Sequence, residues 1–102
     1  MPQFHKVIKT DQLANNSMKK VQIKNYEILL YKVSGKIYAT DNLCTHSPCR
    51  LEAGNFDGDI IECPCHGGKF DIKTGMVKSL PPVIPIKTYR TRIRGKSVEI
   101  EV

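Results

Sequence analysis

The sequence predicts an all-β fold, a small antiparallel β-sandwich or barrel, and two observations predict it. Short runs rich in β-branched and aromatic residues are separated by turn dipeptides, among them Ser34-Gly35, Asp57-Gly58 and Gly95-Lys96. Nowhere does an apolar pattern of helical period persist for the roughly 10 to 12 residues that a helix needs. The 102 residues contain no internal repeat, low-complexity tract or linker, which makes residues 1–102 a single domain. A core of this size is marginal, so a metal or a disulfide is expected to help hold it.

Phe4 to Ile8 reads as a first short strand, ended by the polar segment Thr10 to Ser17. Met18 to Ile23 reads as a second, although Met18, Val21 and Ile23 are imperfectly in phase. Ile28 to Val33 and Lys36 to Thr40 form a hairpin across Ser34-Gly35. Asp57-Gly58 turns Gly54-Asn55-Phe56 into the strand Asp59 to Glu62. Lys69 to Ile72 is a further short strand, followed by the turn Lys73-Thr74-Gly75. Ser79-Leu80-Pro81-Pro82 is a stiff loop, because neither proline can donate to a ladder. Val83 to Arg94 and Ser97 to Val102 close the domain as a last hairpin.

The formal charge is +6, with a basic tail from Lys87 to Lys96. Arg90, Arg92 and Arg94 alternate, so in a strand they share one face, with Tyr89, Thr91 and Ile93 on the other. A solvated strand face explains them better than a docking patch. Nucleic acid ranks below both, because no aromatic residue is interleaved on the basic face for base stacking. The N-terminal stretch has no apolar export region, and the longest aliphatic run, Ile28-Leu29-Leu30, is far short of the ~20 residues of a membrane span. The expectation is a soluble, cytoplasmic protein with no membrane contact.

All four cysteines and two of the three histidines lie in two segments, Cys44-Thr45-His46-Ser47-Pro48-Cys49 and Cys63-Pro64-Cys65-His66-Gly67-Gly68. As ligands these read Cys44-x-His46, sixteen intervening residues, then Cys63-x-x-His66. Two thiolates and two imidazoles are a common tetrahedral zinc set. Zinc fingers, however, usually segregate a cysteine pair from a histidine pair, whereas each segment here supplies one of each. That mixed pairing suits a two-iron, two-sulfide cluster with both thiolates on one iron and both imidazoles on the other. His5 has no such company and reads as a surface or edge-strand residue.

These residues resemble the Rieske-type iron–sulfur proteins, and the resemblance continues through Gly67, Phe70, Asp71 and Gly75 to Pro81-Pro82. From Cys44 to about Tyr89 the chain is similar to the small Rieske ferredoxins that feed aromatic-ring-hydroxylating dioxygenases. The resemblance implies a Rieske domain with a cluster-binding subdomain of two loops, about residues 42–82, and one [2Fe-2S] cluster per chain held by Cys44, His46, Cys63 and His66. In the Rieske subunits of cytochrome bc complexes, cysteines at the positions of Cys49 and Cys65 form a disulfide that clamps the loops. The dioxygenase-type ferredoxins usually lack that pair, and a reducing cytosol favours thiols. The disulfide is the expectation here, because a bond shielded beside the cluster resists reduction.

Two thiolates and two neutral imidazoles leave the oxidised core near neutral, whereas four thiolates would leave it about two units negative. A neutral site accepts an electron more readily, which fits a range of about −150 to +300 mV against about −400 mV for plant-type clusters. The respiratory branch has Ser and Tyr where this chain has Gly68 and Phe70, so two hydroxyl donors to sulfur are missing and the lower half of the range is expected. Backbone N–H groups around His46, Cys49, Cys65 and Gly67 are expected to supply the remaining hydrogen bonds. Ferric iron acidifies a bound imidazole, so reduction should couple to proton uptake at alkaline pH, with the exposed imidazole edges as the electron's exit. Leu43, Pro48, Leu51, Leu80, Pro81 and Pro82 are candidates for an apolar rim around the cluster, or else simply pack the loops.

The reading that results is a monomeric one-electron carrier between a reductase and a terminal oxygenase or other oxidoreductase. A catalytic Rieske oxygenase is rejected, because its mononuclear iron takes two further histidines and a carboxylate, and only His5 remains. A small Rieske subunit of a larger respiratory, arsenite oxidase-like or nitrite reductase-like complex is the alternative. The cysteine pair supports it, and the missing anchor and export signal weaken it.

Overall fold

A computed structural model describes residues 3–45, 49–65, 67–80, 82 and 84–102. His46, Ser47, Pro48, His66, Pro81 and Val83, on which several expectations fall, lie outside the described residues. The fold is all-β, with three antiparallel sheets and, among the described residues, no helix beyond two 3-10 turns, Thr10–Gln12 and Leu51–Ala53. The strands are β1 Phe4–Lys9, β2 Ser17–Ile23, β3 Tyr26–Val33, β4 Lys36–Asp41, β5 Asn55–Asp57, β6 Ile60–Glu62, β7 Lys69–Asp71, β8 Val77–Ser79, β9 Thr88–Tyr89, β10 Thr91–Arg94 and β11 Ser97–Glu101. They order as β1-β11-β10, β2-β3-β4-β9 and β5-β6-β7-β8.

The sheet β2-β3-β4-β9 is central because β3 is apolar on both faces. Side chains alternate across a strand, and Ile28 and Leu30 enter one core with Ile8, Ile23, Ile37, Ala39, Tyr89, Val98 and Ile100. Leu29 and Tyr31 enter a second, with Leu51, Ile61, Phe70, Ile72, Ile86 and the two cysteines Cys44 and Cys63. Each fully buried aliphatic side chain of this kind contributes about 1.5–3 kcal/mol. The faulty phase of β2 has the same cause: Val21 packs on the first core and Met18 on the second.

Two strand expectations need correction. Val83 to Arg94 is not one strand: β9 pairs with β4 in the central sheet, whereas β10 pairs with β11 in another. The chain changes sheet at Arg90, whose carbonyl accepts from Glu101 N, because Tyr89 must fill the first core while Thr91 Oγ1 donates back to the Ile37 carbonyl at 2.7 Å. The segment before the proline loop also holds a strand the pattern does not reveal, β8, paired with β7. The basic tail is balanced locally. Arg92 pairs with Glu99, its register partner on β11, and its guanidinium lies 4.0 Å from the Phe4 ring centroid, while Arg90 reaches Glu101 at 4.0 Å. That is a solvated strand face.

Candidate metal centre

Both Cys/His segments are hairpin loops of the same construction. In the first, the Cys44 N–H donates to the Cys49 carbonyl at 3.0 Å; in the second, the Cys63 N–H donates to the Gly68 carbonyl at 2.7 Å. Each six-residue loop thus opens on a cysteine and is closed by a backbone bond from that cysteine. The Cys44 and Cys63 side chains are buried in the same apolar cluster. Cys49 and Cys65 are joined sulfur to sulfur across the loops, with Cα atoms 6.3 Å apart.

The loops are anchored differently. The second continues β6 and β7, whose ladder pairs Ile61 with Phe70 and Glu62 with Lys69. The first stands on a shorter stem, a single bridge between Leu43 and Arg50 with Leu51 N donating to the Asn42 carbonyl at 2.7 Å. Asn42 is buried at the base of that stem. Its N–H donates to the Glu27 carbonyl on β3, its Oδ1 accepts from Glu52 N, and its Nδ2 donates to Glu52 Oε1 at 3.1 Å and to Glu27 Oε1 at 3.5 Å. Arg50 grips Glu27 with both Nε and a terminal nitrogen, at 2.9 and 3.2 Å, and that hydrogen bond holds the Glu27 carboxyl below its ordinary range. Lys20 lies 3.9 Å from Glu27 and 3.8 Å from Glu52. None of this polar clamp was visible in the sequence, because its members lie on β2, β3 and the stem; only the position of Asn42 beside the loop was a signal.

A third segment closes over the first loop, where Thr45 Oγ1 donates to the Ile84 carbonyl at 2.8 Å. Ile84 and Leu80 are largely exposed and Leu43 is partly so, whereas Pro82 is buried. Leu51, expected as a rim candidate, is 0 % exposed and packs the core beneath the loops. Pro48 and Pro81 lie outside the described residues. The Gly67 N–H, expected near sulfide, donates to the Cys63 carbonyl at 3.2 Å. Tyr31 forms part of the apolar floor; burial pushes its phenol far above the ordinary value, so it stays neutral, hydrogen-bonded to Thr40 at 2.8 Å. His5 lies on the edge strand β1, with Nε2 buried and no hydrogen-bond partner among the described residues.

The family model of the Rieske [2Fe-2S] domain matches residues 3–90. The chain belongs to this family. As a Rieske domain it carries the [2Fe-2S] cluster and transports electrons. It is 46 % identical over 82 residues to the ferredoxin component of the naphthalene 1,2-dioxygenase system of Pseudomonas aeruginosa, covering 80 % of this chain and 79 % of that one. The Sphingomonas yanoikuyae B1 ferredoxin superposes with a TM-score of 0.91 at 39 % identity, over 98 % of this chain and 99 % of that one. A chain from the complex of reduced oxygenase and oxidized ferredoxin in carbazole 1,9a-dioxygenase superposes with a TM-score of 0.90 at 32 % identity, over 95 % and 91 %. Among the described residues, no helix is long and apolar enough to cross a membrane.

Of the expected donors, the two that lie among the described residues fit the cluster: the Cys44 and Cys63 thiols are buried in one apolar cluster at the openings of the two loops, and thiolate is the ligand that iron–sulfur clusters require.

Proposed function

We propose that this chain is the ferredoxin component of an aromatic-ring dioxygenase system, passing single electrons from a reductase to a terminal oxygenase. The observation that carries the proposal is the pair of matching loops, each opening on a buried cysteine over a common apolar floor. The resemblance to ferredoxins of naphthalene and carbazole dioxygenase systems supplies the partners. In this reading residues 1–102 are one domain, with the cluster-binding part at about 42–82, and the carrier is a monomer of the cytoplasm.

When bound, the cluster takes up and releases one electron. Cys44 and Cys63 would hold one iron through their thiolates, and His46 and His66 would hold the other. The core packed beneath Cys44 and Cys63 keeps water from the thiolate side; His46 and His66, as ligands with one ring nitrogen free, would supply the group that takes up a proton on reduction at alkaline pH. Leu43, Leu80 and Ile84, exposed beside the first loop and the proline segment, form the apolar rim against which a partner docks, and the positive charge favours an acidic partner surface. The Cys49–Cys65 bond acts as a clamp between the loops, as in the cytochrome bc branch.

That cysteine pair also favours a second reading, a small Rieske subunit of a larger redox complex. The two are separated by reconstitution with the reductase and terminal oxygenase of a naphthalene-type system. Oxygenase turnover that depends on added ferredoxin supports the carrier. A cluster that the reductase reduces but the oxygenase cannot reoxidise contradicts it.

A further inference from the structure

We infer that Asn42 and the Glu27–Arg50 pair are positioning residues for the iron–sulfur centre, fixing the first loop against β3 so that Cys44 faces Cys63. The inference rests on the proposed ligand set. The second loop is fixed by the β6–β7 ladder, whereas the first has only the Leu43–Arg50 bridge, with backbone bonds from Cys44 N to the Cys49 carbonyl and from Leu51 N to the Asn42 carbonyl, and its ties to the second loop and to Ile84 do not reach β3. What it lacks in ladder, the polar clamp replaces. Asn42 touches the entry to the stem, its exit at Leu51 and Glu52, and β3 at Glu27, with its backbone N–H and carbonyl and its side-chain amide all engaged. Arg50, the partner of Leu43 in the stem, is locked to the same Glu27 by a two-pronged bond. The fork geometry of the guanidinium fixes direction as well as distance. With Lys20 the clamp holds two acids and two bases, so its charge balances. Its product is orientation.

Removing the Asn42 amide leaves the Glu52 N–H and the Glu27 carboxylate without their buried partner, a loss of the order of a factor of ten in the stability of the loop arrangement. The test uses the full chain loaded with its cluster and compares Asn42→Ala and Arg50→Ala with Val98→Ala, which thins the core on the far side of the central sheet. The readouts are iron release to a chelator and the visible circular dichroism of the bound cluster, with release compared at temperatures equally far below each variant's melting temperature. Asn42→Ala is expected to release iron about tenfold faster than the control and Arg50→Ala about two- to fivefold faster, both with altered cluster dichroism, and Arg50→Lys is expected to fall between Arg50→Ala and wild type. Release rates and spectra that follow melting temperature alike in all variants would overturn the inference and leave the clamp a purely structural device. Should Asn42→Ala not fold, Arg50→Ala carries the test, because that side chain is more than half exposed. A wild-type protein that holds no cluster overturns the ligand proposal, and this inference with it.

Discussion

Substitution of Gly75 by alanine reads directly how the segment after β8 is held over the cluster sheet. Gly75 has a φ of +81°, and a Cβ built there would lie 2.1 Å from the Ile86 carbonyl oxygen. The same two residues share a backbone bond, Ile86 N to the Gly75 carbonyl at 2.9 Å, and Ile86 is buried in the core under the loops. The left-handed conformation costs about 1–2 kcal/mol. Moving Ile86 away loses that hydrogen bond, about 1 kcal/mol, and part of its burial, about another 1 kcal/mol. The sum is roughly 3–4 kcal/mol. Gly58 isolates the first contribution, since its φ is +60° and nothing lies within 4 Å of a Cβ built there. At about 4–8 °C per kcal/mol, Gly75→Ala should melt some 10–15 °C below Gly58→Ala in circular dichroism scans run at one heating rate. A difference of less than about 4 °C would show that the approach of Ile86 to Gly75 is not a packing constraint, and the account of this segment would fail.

Other predictions concern the site. Replacing Cys49 and Cys65 together by serine opens a crosslink across a sequence separation of 16, which should lower unfolding stability by about 3 kcal/mol in denaturant titrations; an unchanged midpoint would mean that the bond clamps nothing. Phe70 is buried in the core shared with Cys63, and Phe70→Tyr, by offering a hydroxyl to sulfur, should raise the potential by about 20–65 mV in protein-film voltammetry, the equivalent of one net hydrogen bond for a one-electron step. No rise, or a fall, would remove the explanation for a low potential. Because Arg50 lowers the folded-state pKa of Glu27, the pair stabilises the fold above the ordinary carboxylate value of 4.5 and ceases to as pH falls through the lowered value. The gap in melting temperature between wild type and Glu27→Gln should therefore close on acidification; a constant gap would contradict the assignment.

Most of this molecule could be read from its sequence because its strands obey local rules. Ser34-Gly35 sits between two runs of β-formers, and β3 ends and β4 begins at that turn as expected, while β3 starts two residues before Ile28 and β4 runs one residue past Thr40. The paired cysteine loops were legible for the same reason, as chemistry concentrated in two short segments. What failed was set by distant partners. Arg90 marks a change of sheet because Tyr89 is claimed by one core and Glu101 claims the Arg90 carbonyl. The alternation of Val83 to Arg94 carries no trace of that. Leu51 looked like a rim residue from its place beside the loop, yet the 3-10 turn Leu51–Ala53 rotates it under the cysteines. The clamp of Glu27, Asn42 and Arg50 depends on three elements meeting in space, and no periodicity records such a meeting.

The most direct test of the central claim is a redox titration of the purified protein, followed by visible absorption and repeated from neutral to alkaline pH. Ligation by Cys44, Cys63 and two histidines predicts a reversible one-electron step in the lower half of about −150 to +300 mV, falling by up to about 59 mV per pH unit once the imidazoles titrate. A step near −400 mV that does not move with pH would mean four thiolates and no disulfide. A colourless protein containing zinc would remove the cluster.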